Sequence, residues 1–240
     1  MSDPGPPDGS DDSGLGGLIS SIFGSAPRLI GAIAGLIVAI TGLLAALHNT
    51  GVIGGGGDGG NTTTSEEAKS IFGSFTRPSG RVYFDGKTMY VKAAKAGRPV
   101  LNLANLEKPL SDVTMTTRMS WVSGARDYGV GLICRYENNS NYYVLAVLSG
   151  HRYSIVKYRK GRLTPLTGIK ESSAVDDDAN DITARCVGEK PTTLTLEANG
   201  QTVGSAQDPD GIKDGNVGVR VGSSESFVTT SFDDFVLKYL

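Results

Sequence analysis

The chain has 240 residues, 23 Lys and Arg against 25 Asp and Glu, a formal net charge of −2 and 39% hydrophobic residues. That balance excludes the basic footprint of a nucleic-acid-binding protein, so no nucleic acid is expected as a partner. The length allows one sizeable core beside smaller segments.

Residues 1–28 form an acidic, Pro- and Gly-rich leader carrying Asp3, Asp8, Asp11 and Asp12. Its composition is that of a disordered tail, although residues 14–23 (GLGGLISSIF) suit a short interfacial helix. Residues 29–47 (LIGAIAGLIVAITGLLAAL) are 19 uncharged, mostly apolar residues. At ~1.5 Å per residue they cover ~28 Å, the thickness of a bilayer's hydrocarbon core, and they are read as one transmembrane helix. A cleaved signal peptide would carry a basic start and a small-residue exit, and a core helix would show a polar face; this segment has neither. Gly31 and Gly35 form a GxxxG pair through which two such helices can approach closely, giving a route to a homo-oligomer. Arg28 is the cation flanking the span, which places the N-terminus in the cytoplasm and the rest outside a plasma membrane crossed once.

Residues 48–66, including Gly54 to Gly57 and Thr62 to Thr64, are too poor in apolar groups to build a core and read as a flexible linker. Residues 67–240 then form the folded domain. From Ser111 onward the pattern is strand after strand: Val113, Met115, Thr117, Met119 and Trp121 alternate with Thr114, Thr116, Arg118 and Ser120, the period of a strand buried on one face. Similar strands follow in YGVGLICRYE, NYYVLAVLS, RYSIVKYR, ITARCVGE, TLTLEA, NVGVRVG and SFDDFVLKYL. Lys160-Gly161 and Asn199-Gly200 predict tight hairpin turns, because such turns demand positive φ. Many short strands with regular turns predict an all-β antiparallel sandwich of the jelly-roll kind.

The succession GLICRYENNSNYYVLAVLSGHRYSIVKY, ARCVG, TLTLEANGQ, GNVGVRVG and FDDFVL resembles the concanavalin A-like lectin and glucanase superfamily. Within it, the chain is similar to LamG-like and keto-disaccharide-hydrolase-like jelly-roll domains of bacterial surface proteins. The resemblance covers roughly residues 71–240 and implies two curved sheets with a concave face that receives sugars. It implies no particular reaction, because such domains host enzymes, lectins and spacers alike.

Cys134 shares its strand face with Val130 and Leu132, and Cys186 shares its face with Ile182, so both are expected to point inward. In an exported domain the pair reads as a disulfide; two reduced buried thiols are the alternative. The nearest enzymatic relatives implied by the resemblance are family-16 glucanases, whose chemistry needs two carboxylates at a fixed separation across the sugar. Their Glu-x-Asp-x-x-Glu strand motif is missing here, so no catalytic residue is assigned. Acidic loops at residues 176–181 and 208–211 offer oxygens to a hard cation, but neither completes an EF-hand. No cofactor is expected, the resemblance implying at most a structural calcium at the rim.

Binding has better material. Tyr128, Tyr136, Tyr142, Tyr143, Tyr153 and Tyr158 cluster in consecutive strands beside Arg135 and several asparagines, and the hairpin from His151 carries Arg152, Lys157, Arg159, Lys160 and Arg162. Sugar sites stack a ring on an aromatic face and fix hydroxyls with a few polar groups. Arg135, Tyr142 and Lys157 are therefore predicted as ligand-binding residues on the concave sheet, Arg135 because it follows the inward Cys134 and should turn outward. The sequence reads as a membrane-anchored, extracytoplasmic binding module for a glycan or other envelope polymer. A structural role in protein assembly is the alternative, and a glycoside hydrolase-like enzyme the third reading.

Overall fold

A computed structural model describes residues 61–63, Phe72 and residues 81–239. The leader, the span at residues 29–47 with Gly31 and Gly35, and most of the linker lie outside the described residues.

Fifteen strands follow in chain order: β1 Asn61–Thr63, β2 Val82–Asp85, β3 Thr88–Ala93, β4 Val100–Leu103, β5 Val113–Gly124, β6 Tyr128–Asn138, β7 Asn141–Leu148 and β8 Arg152–Arg159, then β9 Arg162–Pro165, β10 Lys170–Glu171, β11 Ala179–Val187, β12 Thr192–Ala198, β13 Gln201–Asp208, β14 Asn216–Ser223 and β15 Val228–Tyr239. They pair into two sheets. The first runs β13-β12-β11-β5-β15-β3-β2, with β1 also against β15; the second runs β10-β8-β7-β6-β14-β4, with β9 also against β8. Every pairing is antiparallel. The all-β sandwich expected from the strand pattern is therefore present. The pairing of β1 lies within the segment read as linker.

The alternation read in β5 is observed as far as Ser120: Val113, Met115, Thr117 and Met119 are buried while Thr114, Thr116 and Ser120 are only partly covered and Arg118 is exposed. Trp121, expected inside, is only partly covered, where the register against β15 shifts. These side chains meet Leu132, Cys134, Tyr143, Leu145, Ile155 and Val219 of the second sheet in the main core. Fully burying one aliphatic side chain stabilises by about 1.5–3 kcal/mol, so this layer is the principal source of stability. Cys134 and Cys186 are joined across the core, at a sequence separation of 52.

The second sheet is apolar on both faces. Ile133, Tyr142, Val144, Ala146, Val156 and Tyr158 alternate with the core residues of β6, β7 and β8 and make a second buried cluster. Tyr142 and Tyr158 stack there at 4.4 Å between ring centroids. Lys160-Gly161 and Asn199-Gly200 have positive φ at both positions, 51° and 76° in the first and 50° and 78° in the second, which is the geometry of a two-residue hairpin turn.

Candidate functional site

The basic hairpin of β8 and β9 opens onto a cavity of about 410 Å³, lined by Lys157, Arg159, Lys160, Lys190, Asp210 and Gly211. Three separate stretches build it: the end of β8 with its turn, the loop between β11 and β12, and the loop between β13 and β14. Lys157, Arg159, Lys160 and Lys190 face one carboxylate, Asp210, so the cavity is cationic.

Lys157 forms the floor. In β8 it follows the inward parity of Tyr153 and Ile155, and this carries it to the edge between the sheets, where it is 8% exposed. Its Nζ lies 2.6 Å from Asp208 Oδ2 and donates to the Asp210 carbonyl at 3.0 Å. Asp208 Oδ2 also accepts from Tyr143 Oη at 2.5 Å. Burial opposes ionisation of Asp208, but the Lys157 and Tyr143 hydrogen bonds outweigh it and hold the carboxyl below its ordinary value. Burial, aided by the Asp208 hydrogen bond, pushes the Tyr143 phenol up to about 12. The phenol thus stays protonated and donates, while its oxygen accepts the Ile212 N–H at 2.8 Å.

Arg135 braces the same loop from beneath. The register of β6 against β7 shifts between Cys134 and Asn138, and Arg135 there has φ of 50°. The irregularity breaks strict alternation, so Arg135 does not turn out onto the open sheet face as expected from its position after Cys134; it is 1% exposed. Nε donates to the Ser111 carbonyl at 2.9 Å. Nη1 donates to Thr192 Oγ1 at 2.8 Å and the Ile212 carbonyl at 2.6 Å, and Nη2 to the Gly188 carbonyl at 2.6 Å and Asp112 at 3.2 Å. A guanidinium presents donors in a fixed planar fork, which suits one side chain to tying three loops together. Gly211 completes the fit, because a Cβ there would overlap Thr192 Oγ1 and the Glu189 carbonyl oxygen.

The turn bearing Lys160 is equally fixed. Lys160 N–H donates to Asn141 Oδ1 at 3.0 Å, and Gly161 N–H to the Ser140 carbonyl at 3.0 Å. The cavity is thus walled by braced backbone on both sides.

Of the three predicted ligand residues, only Lys157 lines the cavity. Tyr142 sits on the opposite face of the second sheet, paired in register with Tyr158, while Tyr143 pairs with Lys157. Arg135 reaches the cavity through the Ile212 loop rather than by contact. Arg159 and Lys160 belong to the charged hairpin visible in sequence; Lys190 and Asp210 are brought in by tertiary structure alone.

The carboxylates of Asp176, Asp177 and Asp178 in the first acidic loop are engaged by protein partners. Asp176 caps the N–H groups of Asp178 and Ala179, Asp177 accepts from Gly150 and His151, and Asp178 pairs with Arg126 at 2.5 Å. Among the described residues no group of three or more His, Cys, Asp and Glu side chains is placed to hold a metal.

No family model and no curated protein matches the sequence. Solved structures do match. The carbohydrate binding module CBM66 from Bacillus subtilis aligns with a TM-score of 0.53 at 14% identity, covering 72% of this chain and 92% of that one. A Bacillus licheniformis beta-glucanase aligns at 0.48 and 8% identity over 70% of this chain and 86% of its own. A prokaryotic beta-1,3-1,4-glucanase from a mouse hindgut metagenome aligns at 0.48 and 9% over 74% and 92%. At such identities the likeness concerns architecture alone, and the chain shares with CBM66 an antiparallel β-sandwich of two sheets.

Proposed function

We propose that this chain is a non-catalytic carbohydrate-binding module displayed outside the cytoplasm on an N-terminal membrane anchor. The observation that carries the reading is the braced cationic cavity at one end of a jelly-roll sandwich. A site fixed before its ligand arrives loses little conformational freedom on binding, which is what Arg135, Tyr143 and the clamped Lys160 turn supply here. The saccharide class draws support from the fold shared with a protein named as a carbohydrate binding module. A role without catalysis draws support from the cavity floor, where the buried Asp208 is ion-paired to Lys157 and hydrogen-bonded to Tyr143, an arrangement that holds it as a structural carboxylate rather than a proton donor. Export draws support from the Cys134–Cys186 disulfide, which persists in oxidising compartments.

Incubating the full-length protein with an array of neutral and acidic polysaccharides tests the reading. Retention of one or more polysaccharides, without release of shortened products, is expected. Failure of the folded protein to retain any of them overturns it.

A further inference from the structure

The turn at Lys160 breaks a local rule. The first position of this two-residue turn needs a left-handed backbone, which Asn tolerates well and Lys poorly; the equivalent position of the sister turn is Asn199. Lys160 nevertheless sits there at φ 51°. Residues held against their conformational preference cluster where a side chain is needed for another purpose. What this lysine does is line the cavity.

The charges of the cavity point the same way. Lys157 is matched by Asp208 at 2.6 Å. Arg159, Lys160 and Lys190 are exposed and, like Arg162, Lys170 and Lys213 among the described residues, form no ion pair; what sets these three apart is that they line one cavity. These three cations converge on one cavity against the single carboxylate of Asp210. Three cations set against one carboxylate leave an excess of positive charge, and an anion seated among them relieves their repulsion while accepting charge-assisted hydrogen bonds.

We propose that the cavity binds the anionic group of an acidic saccharide, a carboxylate or a sulfate ester, through Arg159, Lys160 and Lys190, and that Lys160 occupies a strained turn position for this purpose. The proposal rests on the carbohydrate-binding reading above and narrows its ligand. Lys157 and Arg135 act as positioning residues, the first by fixing Asp210 and the second by fixing Ile212.

The test is titration calorimetry of the full-length protein with polygalacturonate, its carboxyl-reduced neutral counterpart, dextran sulfate and plain dextran. Binding to polygalacturonate or dextran sulfate, absent from the two neutral polymers and weakening as salt rises from about 50 to about 300 mM, supports the proposal; the polymer that binds names the anion. Arg159→Gln and Lys190→Gln should each weaken binding about fivefold with little change in the unfolding midpoint. Lys160→Asn should weaken it similarly while raising the midpoint by about 2–4 °C, opposite signs that a merely structural lysine would not give. The control Lys92→Gln, on the first sheet, should leave affinity unchanged. Equal binding of charged and neutral polymers, or full affinity retained in the triple variant of Arg159, Lys160 and Lys190, overturns the anionic class while the broader carbohydrate reading stands. Absence of binding to every polysaccharide overturns both.

Discussion

Lys157 and Asp208 meet at 2.6 Å in the gap between the two sheets, one carried by β8 of the second sheet and the other ending β13 of the first. The pair joins the sheets at the cavity floor and ties their union to the charge of one carboxyl. Asp208 is held below its ordinary value, so on acidification the unfolded chain takes up the proton first. Its contribution to stability is therefore complete above about pH 4 and is lost as pH falls through the lowered folded value. Urea unfolding of wild type and Asp208→Asn between pH 2 and 7 checks this: the variant should be less stable near neutrality, and the gap should close toward the acid end. A gap independent of pH would show that the carboxylate charge plays no part.

Removing Arg135 is expected to be severe. Arg135→Ala strips donors from the Ser111, Gly188 and Ile212 carbonyls and leaves a hole beneath three loops. Leaving buried groups such as the Ile212 carbonyl and the Thr192 hydroxyl without their donor costs about 1–3 kcal/mol each, whereas losing an exposed pair such as Arg118–Asp181 costs under about 1 kcal/mol. Denaturant midpoints of Arg135→Ala and Arg118→Ala should differ accordingly, and similar values for the two would contradict the bracing role.

The disulfide closes a loop with a sequence separation of 52. In the chain-entropy model that bridge stabilises by about 4 kcal/mol relative to the open chain. Comparing the oxidised protein with Cys134→Ala/Cys186→Ala in urea should reveal a loss of that order, less any compensation by repacking. Mass spectrometry of the native protein without reduction should recover the two cysteine peptides linked, and freely alkylatable thiols would remove the basis of the prediction.

The proposed orientation at a membrane rests on Arg28 beside the apolar run and on the disulfide. Protease added to intact cells should digest the domain while a cytoplasmic marker survives. Protection of the domain, alongside digestion of a control surface protein, would reverse the assignment.

Much of the sandwich was readable because alternation is a strong signal wherever one face meets solvent, as in β5. It fades in β6, β7 and β8, where both faces are buried and the sequence runs almost continuously apolar, so Tyr142 and Lys157 could not be assigned to opposite faces. The inward cysteines and the two glycine turns followed from local chemistry alone. Arg135 did not, since the register irregularity after Cys134 depends on pairing with a neighbouring strand. Nor did the cavity, whose Lys190 and Asp210 lie tens of residues beyond the hairpin and arrive only when the loops between β11 and β12 and between β13 and β14 pack together.

The short β1 pairs antiparallel with β15, Asn61 opposite Tyr239 and Thr63 opposite Leu237. Tension arriving along the backbone at Asn61 therefore loads these pairs one after another rather than all together. Peeling of this sort proceeds at low force, so β1 should let go before the sheets themselves feel the load. Three residues of released strand would lengthen the connection by about 10 Å at most, a small compliant element between the sandwich and whatever precedes β1.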